Sequence, residues 1–535
     1  MLRAAPLVLI SMNKKISSFI SGKRFIDNRD LILALILYLI IGIFSLKYYQ
    51  HVINPDTICY IGIAAKYAEG DFGNAVNGYW GPLFSWVLVP FLLTGHTPLS
   101  ALTSIKILSL IIGAFNITGL WLLSNKFRMD RTIRLLFIIS TIPLILYFVY
   151  IKITPDLLLA TCLIFYLNSI FNPEYPRKYK HGVISGFTGA LAYLSKVYAL
   201  PFFLVHFILF NTIYYFKKYK PDKKRVRNNL IIGLAVFLVI SGFWALSLNE
   251  KYGELTFGTS SEYNQALIGP EVQLHDPMTN NGLIKPPNDG ATSAWEDPSY
   301  IKMPGWSPFE SWESFNYQMN IIWNNILQTL TFLCEFSIIT FLILIMAVII
   351  LFKSSNSEHK FKIASLIVTM AIFTMGYWTI RVEPRLLILI YFLIPLLAGY
   401  LICIIKEKFK INNNIITGIA AIMFVLLVVS PTITLYETAN TDNEAYKISN
   451  TLQENYDVHG NIASNTNRRL TLFVAYYLGA QYYGSAKFTA NIGDYLQKNN
   501  IDYYLVYEST EDLKIDHYQE ITIPVKPYIR VFKRV

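Results

Sequence analysis

Long apolar stretches separated by short polar segments dominate this chain of 535 residues. A helix needs about 20 mostly apolar residues to cross a bilayer, and the pattern predicts eleven membrane-spanning segments. Two of them, 156–171 and 182–196, are short, which predicts tilted or broken crossings. The predicted segments are 30–49, 99–124, 132–151, 156–171, 182–196, 198–216, 229–248, 335–353, 362–380, 386–404 and 415–434.

The apolar stretch 82–95 is too short to cross and contains Pro82 and Pro90, so we interpret it as a helix at the membrane interface. The basic loops support this, because they all fall on one side only if 82–95 does not cross. Since Lys and Arg collect on the cytoplasmic side, we expect a multi-pass plasma-membrane protein with a cytoplasmic N-terminus and an external C-terminus. The basic groups are 14–29, Lys126–Arg134, Arg177–Lys180, Lys217–Arg227, Lys353–Lys362 and Lys406–Lys410.

The composition agrees with a membrane protein and excludes an ordinary soluble enzyme. The mean hydropathy is +0.39. Hydrophobic residues make up 53% of the chain and charged residues only 15%, against about 25% in soluble domains. The net charge of +11 is explained by the cytoplasmic loops, so it does not indicate a nucleic-acid partner.

The predicted fold is an α-helical polytopic membrane protein with about eleven transmembrane helices, interfacial helices and a small C-terminal α/β domain. Residues 1–434 form the transmembrane domain and 435–535 the external domain. The external domain is predicted from an amphipathic helix at 442–456 and strands at Ile501–Glu508 and Tyr528–Val535. Two long segments of the transmembrane domain are also predicted to be external, namely 50–98 and 249–334.

Ionisable residues cluster at the predicted external ends of the spans. A single Lys in this position is explained by snorkelling, which needs no function. The whole set brings carboxylates and cations together and predicts a polar cavity that opens outward; an ion pathway would instead place charges through the membrane. The set is Lys47, Lys152, Asp156, Lys196, Glu335, Arg381, Glu383 and Arg385, while only His206 lies near the centre of a span.

The first external loop contains an acidic residue at the predicted start of a helix. The helix runs from Asp56 to about Glu69, and Tyr60 and Ala64 share its apolar face. We expect it to lie at the membrane surface. One role for Asp56 is to cap this helix and interact favourably with its dipole. Its other possible roles are in catalysis or in metal binding, and they are described below with the motifs.

Several motifs in this order resemble the GT-C superfamily of membrane glycosyltransferases. The likeness is strongest to the branch that contains protein O-mannosyltransferases and lipid A aminoarabinose transferases. Leu386 stands where that family usually has Tyr. The motifs are the acidic Asp56, then Tyr60-x-x-x-Ala64-x-x-Tyr67-x-x-Gly70-Asp71, Trp80-x-Pro82-Leu83, Thr154-Pro155-Asp156, Leu194-Ser195-Lys196 and Glu383-Pro384-Arg385.

The resemblance implies a glycosyltransferase that takes a sugar from a polyprenyl-phosphate-linked donor to a hydroxyl of an acceptor lipid, protein or glycan. Transfer needs a base for the hydroxyl and cations for the leaving phosphate. The resemblance makes Asp56 the catalytic base of an inverting reaction, with Lys196 and Arg385 as phosphate-binding candidates. No cofactor is indicated with certainty; the alternative role of Asp56 is to bind a divalent metal together with Asp156.

The remaining candidates support the site. Glu383 is expected to orient Arg385, although a simple ion pair between them is the alternative. Tyr60 is a supporting residue, and His51 and Trp80 are candidates for lining the acceptor or sugar pocket. Trp80 is equally suited to anchor the chain in the interfacial aromatic belt.

Three functions are compatible with this pattern. The first is the lipid-phosphosugar glycosyltransferase, in which the loop 249–334 covers the acceptor site as a lid does. The second is a transporter or flippase of a lipid-linked saccharide, which would share the lipid pocket. The third is a receptor or assembly protein with the same architecture and no catalysis.

Overall fold

The computed structural model describes residues 23–216, 222–280, 282–507, 513–521 and 529–535. All eleven predicted segments coincide with helices. The helices are α1 (Lys23–Ser45), α2 (Pro55–Glu69), α3 (Phe72–Ala75), α4 (Pro82–Leu88), α5 (Pro98–Lys126), α6 (Arg131–Tyr150), α7 (Asp156–Ile170), α8 (Lys180–Ser195), α9 (Ala199–Phe216), α10 (Lys223–Tyr252), α11 (Ser260–Leu267), α12 (Pro277–Asn280), α13 (Trp312–Phe336), α14 (Ile339–Lys353), α15 (Ser357–Trp378), α16 (Ile388–Phe409), α17 (Asn413–Thr438), α18 (Asn443–Tyr456), α19 (Arg468–Leu478) and α20 (Ile492–Lys498).

The number of spans depends on how the short helices are counted. In the part of the chain that the structure describes, 8 helices are long and apolar enough to cross a membrane, and α13 with α14 makes 9 if this pair, bent by 109°, is one span. The prediction of about eleven also counts α7, with 15 residues, and α8, with 16. Each is about 23 Å long at 1.5 Å per residue, short of a hydrocarbon core of about 30 Å.

The helices place the basic loops at one end of the bundle, which we call the basic end. Asp30 bonds to Arg131 there at 2.5 Å, Lys406 to Asp130, and Arg128 lies 3.6 Å from Glu358. The opposite ends of the helices meet around Asp56, and we call this the Asp56 end. The short helix α4, continued by a turn to Phe91, lies at the Asp56 end and does not cross.

The predicted loop 249–334 is shorter than expected, because α10 continues to Tyr252 and residues 312–336 form the helix α13. Helix α13 buries polar side chains and exposes apolar ones. Asn325 donates to the Trp378 carbonyl at 2.9 Å, and Thr329 accepts from the Trp378 indole at 2.9 Å, while Trp323 is 60% exposed. An apolar outer face suits lipid, and the inward polar residues explain why the sequence resembled a loop.

The C-terminal region contains a five-stranded mixed sheet. The strands are β1 (Asn461–Ser464), β2 (Gln481–Ser485), β3 (Tyr503–Tyr507), β4 (Tyr518–Glu520) and β5 (Ile529–Arg534), in the spatial order β2-β1-β3-β5-β4. Strands β1, β2 and β3 are parallel, and β5 is antiparallel to both β3 and β4. The predicted helix at 442–456 corresponds to α18, and the two predicted strands correspond to β3 and β5.

The loop 253–311 covers one edge of this sheet. The backbone N–H of Tyr482 in β2 donates to the Thr292 carbonyl at 2.7 Å, and that of Ile284 donates to the Tyr483 carbonyl at 2.7 Å. An edge strand with open backbone groups is thereby paired. The Thr292 contact lies three residues before Trp295, so the sheet supports the segment that reaches Asp56.

Candidate active site

Asp56 lies in the first turn of α2, but the cap of that helix is Asn54. The Asn54 side chain accepts a hydrogen bond from the Thr57 backbone N–H at 3.0 Å, and Pro55 occupies the first turn without needing a donor. The interpretation of Asp56 as the helix cap is therefore wrong. Its carboxylate is free to interact with other parts of the chain.

Two distant residues hold the two oxygens of the Asp56 carboxylate. The Trp295 indole N–H donates to Oδ1 at 3.1 Å, and the Arg385 guanidinium donates to Oδ2. Arg385 also donates from Nε to the Glu383 carboxylate at 3.0 Å. Glu383 thus forms an ion pair with Arg385, and the same contact orients the guanidinium. Arg385 thereby links Glu383 to Asp56.

The second acidic position, Asp156, is buried and paired with a cation. Its carboxylate is 2.7 Å from the Lys196 ammonium and accepts from the Thr154 hydroxyl at 2.7 Å. The Asp156 side chain is 1% exposed, whereas that of Lys196 is 27% exposed. A long cationic side chain that stays partly open while anchored on a buried carboxylate can still reach a ligand, so snorkelling does not describe Lys196.

These groups surround a cavity of about 390 Å³, which we call cavity A. Three cations, Lys196, Arg381 and Arg385, line it. Seven of the eight residues predicted from sequence line it as well, namely Asp56, Tyr60, Trp80, Asp156, Lys196, Glu383 and Arg385. They come from four separate regions of the chain, which the helix ends bring together.

His51 is the predicted site residue that the structure places elsewhere. Its ring stacks on Tyr446 of α18 with centroids 4.6 Å apart, and it does not line the cavities described here around Asp56. The structure therefore does not bring His51 together with the other predicted site residues. Burial lowers the pKa of its imidazole, with smaller contributions from Lys106 and Lys447.

An aromatic cluster forms one wall of cavity A. The Trp80 and Trp295 rings are 5.7 Å apart, and Tyr79 lies 5.4 Å from Trp295. The Trp80 indole donates to the Trp295 carbonyl at 3.2 Å. Trp80 is buried in this cluster, so it is not an anchor in an aromatic belt. Burial holds the pKa of the Tyr79 hydroxyl above its ordinary value, which keeps this wall uncharged.

A second cavity, of about 380 Å³, lies beside Asp56, and we call it cavity B. Asp56 and Trp295 line both cavities. Cavity B also receives Arg468 and Arg469 from α19, together with residues of the loop 253–311 and of β2. Burial lowers the pKa of Arg468, which reflects a guanidinium that has lost part of its water shell.

An ion pair and several hydrogen bonds hold the segment that carries Trp295 in place. Glu296 forms a buried ion pair of 2.5 Å with Lys66 of α2, and the Lys66 ammonium also donates to the Gly290 carbonyl at 3.2 Å. The Asn77 side chain donates to the Glu296 carbonyl at 2.7 Å. Burial raises the pKa of Glu296, although Lys66 opposes this. These bonds set the position of the Trp295 indole.

The described residues do not fit a divalent metal in this arrangement. Each carboxylate oxygen of Asp56 and of Asp156 already accepts a donor from the protein. In the described ranges there is also no cluster of three or more His, Cys, Asp or Glu side chains arranged for a metal. Metal sites need several free ligand atoms at once, so the cations that this site offers are Lys196, Arg381 and Arg385.

Sequence reasoning missed Trp295 and the Lys66–Glu296 pair. Trp295 lies in a segment without periodicity, 239 positions from Asp56, and nothing local marks it. A weak signal existed in the loop's unusual content of Trp and Pro. Lys66 shows none, because on a helix surface a lone Lys is ordinarily solvated.

No known protein-family model matches this chain, and no curated protein matches it by sequence. Solved structures do match it in fold. ArnT from Cupriavidus metallidurans in the apo state has a TM-score of 0.58 and 13% identity, covering 94% of this chain and 97% of ArnT. The same protein bound to undecaprenyl phosphate has a TM-score of 0.55 and 12% identity, covering 95% and 98%.

The chain is therefore an integral membrane protein that shares its fold with ArnT, as the resemblance of the motifs predicted. The similarity to ArnT extends over nearly the whole of both chains, and at this identity it is a likeness of fold.

Proposed function

We propose that this protein is a glycosyltransferase that moves a sugar from a polyprenyl-phosphate-linked donor to an acceptor hydroxyl at the external membrane face. The observation that carries the proposal is the position of Asp56, which lines both cavity A and cavity B. A carboxylate shared by two cavities can contact a donor in one and an acceptor in the other. The fold shared with ArnT, one structure of which holds undecaprenyl phosphate, supports this class of donor.

Cavity A has the chemistry to hold the donor. Lys196, Arg381 and Arg385 offer three cations to a phosphate, Arg by a planar fork and Lys as a point charge. The aromatic wall of Tyr79, Trp80 and Trp295 offers flat, uncharged faces to a sugar ring. A polyprenyl tail would remain in the lipid, with its phosphate at the membrane boundary where the helices end.

Cavity B has the chemistry to receive the acceptor. Arg468 forms no ion pair in the part of the chain that the structure describes, and the nearest carboxylate of Arg469, that of Asp442, is 3.9 Å away. Two incompletely paired guanidinium groups favour an acceptor that carries a negative group near its hydroxyl. The acceptor is therefore a lipid, protein or glycan that carries a hydroxyl close to a negatively charged group.

The proposed step is a single displacement at the anomeric carbon. The acceptor oxygen forms a bond to C1 while the bond from C1 to the donor phosphate breaks. The electron pair leaves on the polyprenyl phosphate, whose charge Lys196 and Arg385 stabilise, and the hydroxyl proton goes to the Asp56 carboxylate. Attack from the side opposite to the phosphate inverts the configuration at C1.

Binding of the donor must loosen the bond between Arg385 and Asp56. A phosphate competes for the guanidinium, and Glu383 keeps hold of its Nε. Asp56 then retains the Trp295 indole and gains a free oxygen for the proton. This exchange makes the base available only when the donor is present.

The orientation and the domain organisation that the sequence predicts form part of the proposal. The Asp56 end faces outward, the N-terminus is cytoplasmic, and residues 435–535 form the external domain. The loop between α10 and α13 is a fastened cover, since Trp295 and Glu296 are held by α2. The basic end then faces the cytoplasm, in agreement with the distribution of Lys and Arg.

Mass spectrometry of lipids that co-purify with the protein tests the donor class. The expected result is a polyprenyl-phosphate sugar that is enriched over the bulk membrane extract and disappears after incubation with membranes that contain the acceptor. The variant Lys196→Gln should co-purify less of it, whereas the exposed Lys353→Gln should not change it. Absence of any lipid-phosphosugar would contradict the proposal.

The same purified protein can be used to distinguish a glycosyltransferase from a flippase. Proteoliposomes loaded with the identified lipid-phosphosugar should show no protein-dependent movement between leaflets when the acceptor is absent. His206, the ionisable residue near the centre of the bundle, bonds to Tyr166 at 2.7 Å and to Thr369 at 2.9 Å, which is a packing role. Protein-dependent transport without acceptor would favour the flippase.

A further inference from the structure

A large cavity lies at the basic end, on the side of the bundle opposite to Asp56. Its volume is about 610 Å³, and it opens between the ends of α5, α7, α9, α10 and α15. The transfer chemistry proposed above makes no use of it. Because helices that start or end here have their other ends near Asp56, the two sites are separated by the thickness of the bundle.

The walls of this cavity are aromatic. Phe127 and Phe171 meet edge to face with ring centroids 6.5 Å apart, and Tyr214 and Phe361 are 6.0 Å apart. The Tyr214 hydroxyl donates to the Ile170 carbonyl at 2.8 Å, so its polar end is satisfied within the protein. The four rings give the cavity an apolar wall.

The rim of the cavity is cationic. Five basic residues line it against two acidic ones. Both acidic residues are already engaged: Asp222 bonds to Arg225 at 3.0 Å, and Glu358 bonds to Lys362 at 2.9 Å and lies 3.6 Å from Arg128.

Two of the basic residues at the rim have no carboxylate partner of this kind. Lys126 and Arg177 form no ion pair or side-chain hydrogen bond in the ranges that the structure describes. Glu174 is close enough to attract Lys126, but its carboxylate bonds to Lys178 at 2.7 Å. An anion entering the cavity would therefore meet two cations that it need not take from another group.

From this combination we infer that the cavity at the basic end binds the headgroup of an anionic phospholipid. The phosphate contacts Lys126 and Arg177, and the glycerol and first acyl carbons lie against the aromatic walls. Basic pockets between helices at the cytoplasmic side of a membrane suit such headgroups. The surroundings favour lipid over a soluble anion, because apolar side chains are exposed at this end of the helices: Val183 in the first turn of α8 is 45% exposed, and Phe216 at the end of α9 is 74% exposed.

Native mass spectrometry of the purified full-length protein in mild detergent tests this site. Phosphatidylglycerol, the anionic probe, is expected to bind about tenfold more tightly than phosphatidylcholine, the zwitterionic one. The double variant Lys126→Gln/Arg177→Gln should lose about tenfold in affinity for phosphatidylglycerol only. The matched variant Lys353→Gln/Lys408→Gln removes two cations of the same end that do not line the cavity and should leave the affinity within about twofold.

Other results would overturn the inference. Equal binding of the two lipids, or an equal loss in the matched variant, would show that the cavity does not recognise the headgroup. Inorganic phosphate that binds as tightly as phosphatidylglycerol would show a free-anion site. Arg177 is exposed at the end of the short 3-10 helix Tyr175–Arg177, so the single variant Arg177→Glu tests the same point if the double variant fails to fold.

Discussion

The indole N–H of Trp295 lies 3.1 Å from Oδ1 of Asp56, although 239 positions separate the two residues in the chain. Trp295 belongs to a loop that pairs with the C-terminal sheet, and Asp56 begins the helix after the first span. One hydrogen bond thus connects the cover of the site with its proposed base. It leaves the second oxygen of Asp56 to Arg385.

Trp295→Phe should lower the rate of sugar transfer by about 10- to 100-fold, since a hydrogen bond to a charged group is worth about 1.5–3 kcal/mol. The ring remains and the indole donor is lost, so the Asp56 carboxylate is less well oriented. The measurement is the initial rate with the co-purified donor. Trp312→Phe, at a tryptophan that is 75% exposed, serves as control and should retain the wild-type rate. Equal rates for both variants would remove Trp295 from the site.

Arg385→Lys should behave as a loss of function despite the retained charge. Arg385 bonds to Glu383 and Asp56 at the same time, and an ammonium cannot reproduce this planar arrangement. We expect transfer to fall by about tenfold or more, and the affinity for the donor to fall with it. Arg381→Lys should lose less activity than Arg385→Lys, because Arg381 lines the same cavity but is 53% exposed, lies 3.5 Å from Glu383 and does not contact Asp56. A fully active Arg385→Lys would show that only the charge matters.

Glu296→Gln should destabilise the cover of the site. Lys66 and Glu296 are both buried, with side chains 4% and 3% exposed, and breaking a buried pair costs about 3–5 kcal/mol. Thermal unfolding in detergent should show the loss, and limited proteolysis should show cleavage within 282–300. Glu174→Gln, in an exposed pair with Lys178, should change neither. The double variant Lys66→Met/Glu296→Leu should recover most of the stability, because no unpaired charge then remains buried.

Removal of divalent metals should leave transfer unchanged. All four oxygens of Asp56 and Asp156 accept donors from the protein, so Arg385 and Lys196 supply the positive charge. Treatment with a chelator, followed by addition of Mg²⁺ or Mn²⁺, should give the same rates. A rate that falls on chelation and returns with the metal would mean that a metal replaces one of these cations.

Much of the site could be predicted from the sequence because its charges lie at helix ends. If all basic loops lie on one side of the membrane, four charged residues fall at the opposite ends of their helices: Asp56, Asp156, Lys196 and Arg385. The structure brings these four residues around cavity A. The helix from Pro55 to Glu69 follows from its turn residues and its periodicity. These features are local, so a pattern can show them.

The parts that failed depend on distant contacts or on lipid. Asp56 is a suitable N-cap residue by type, but in the structure Asn54 caps the helix. The sequence pattern does not decide which of these two neighbouring residues caps it. Helix α13 was predicted as loop because its polar face points inward, the reverse of a soluble helix. Trp295, Lys66 and Glu296 have no local signal, since their partners lie more than 200 positions away.

The central claim is that Asp56 is the base in transfer of the sugar, and Asp56→Asn tests it most directly. Asn keeps the shape and an acceptor for the Trp295 indole but cannot take a proton. The measurement is single-turnover transfer with the co-purified donor, alongside donor binding, with Asp71→Asn on the same loop as control. We predict that Asp56→Asn binds the donor and transfers about 10²- to 10⁴-fold more slowly, while Asp71→Asn is unchanged. Transfer by Asp56→Asn at the wild-type rate would contradict the account.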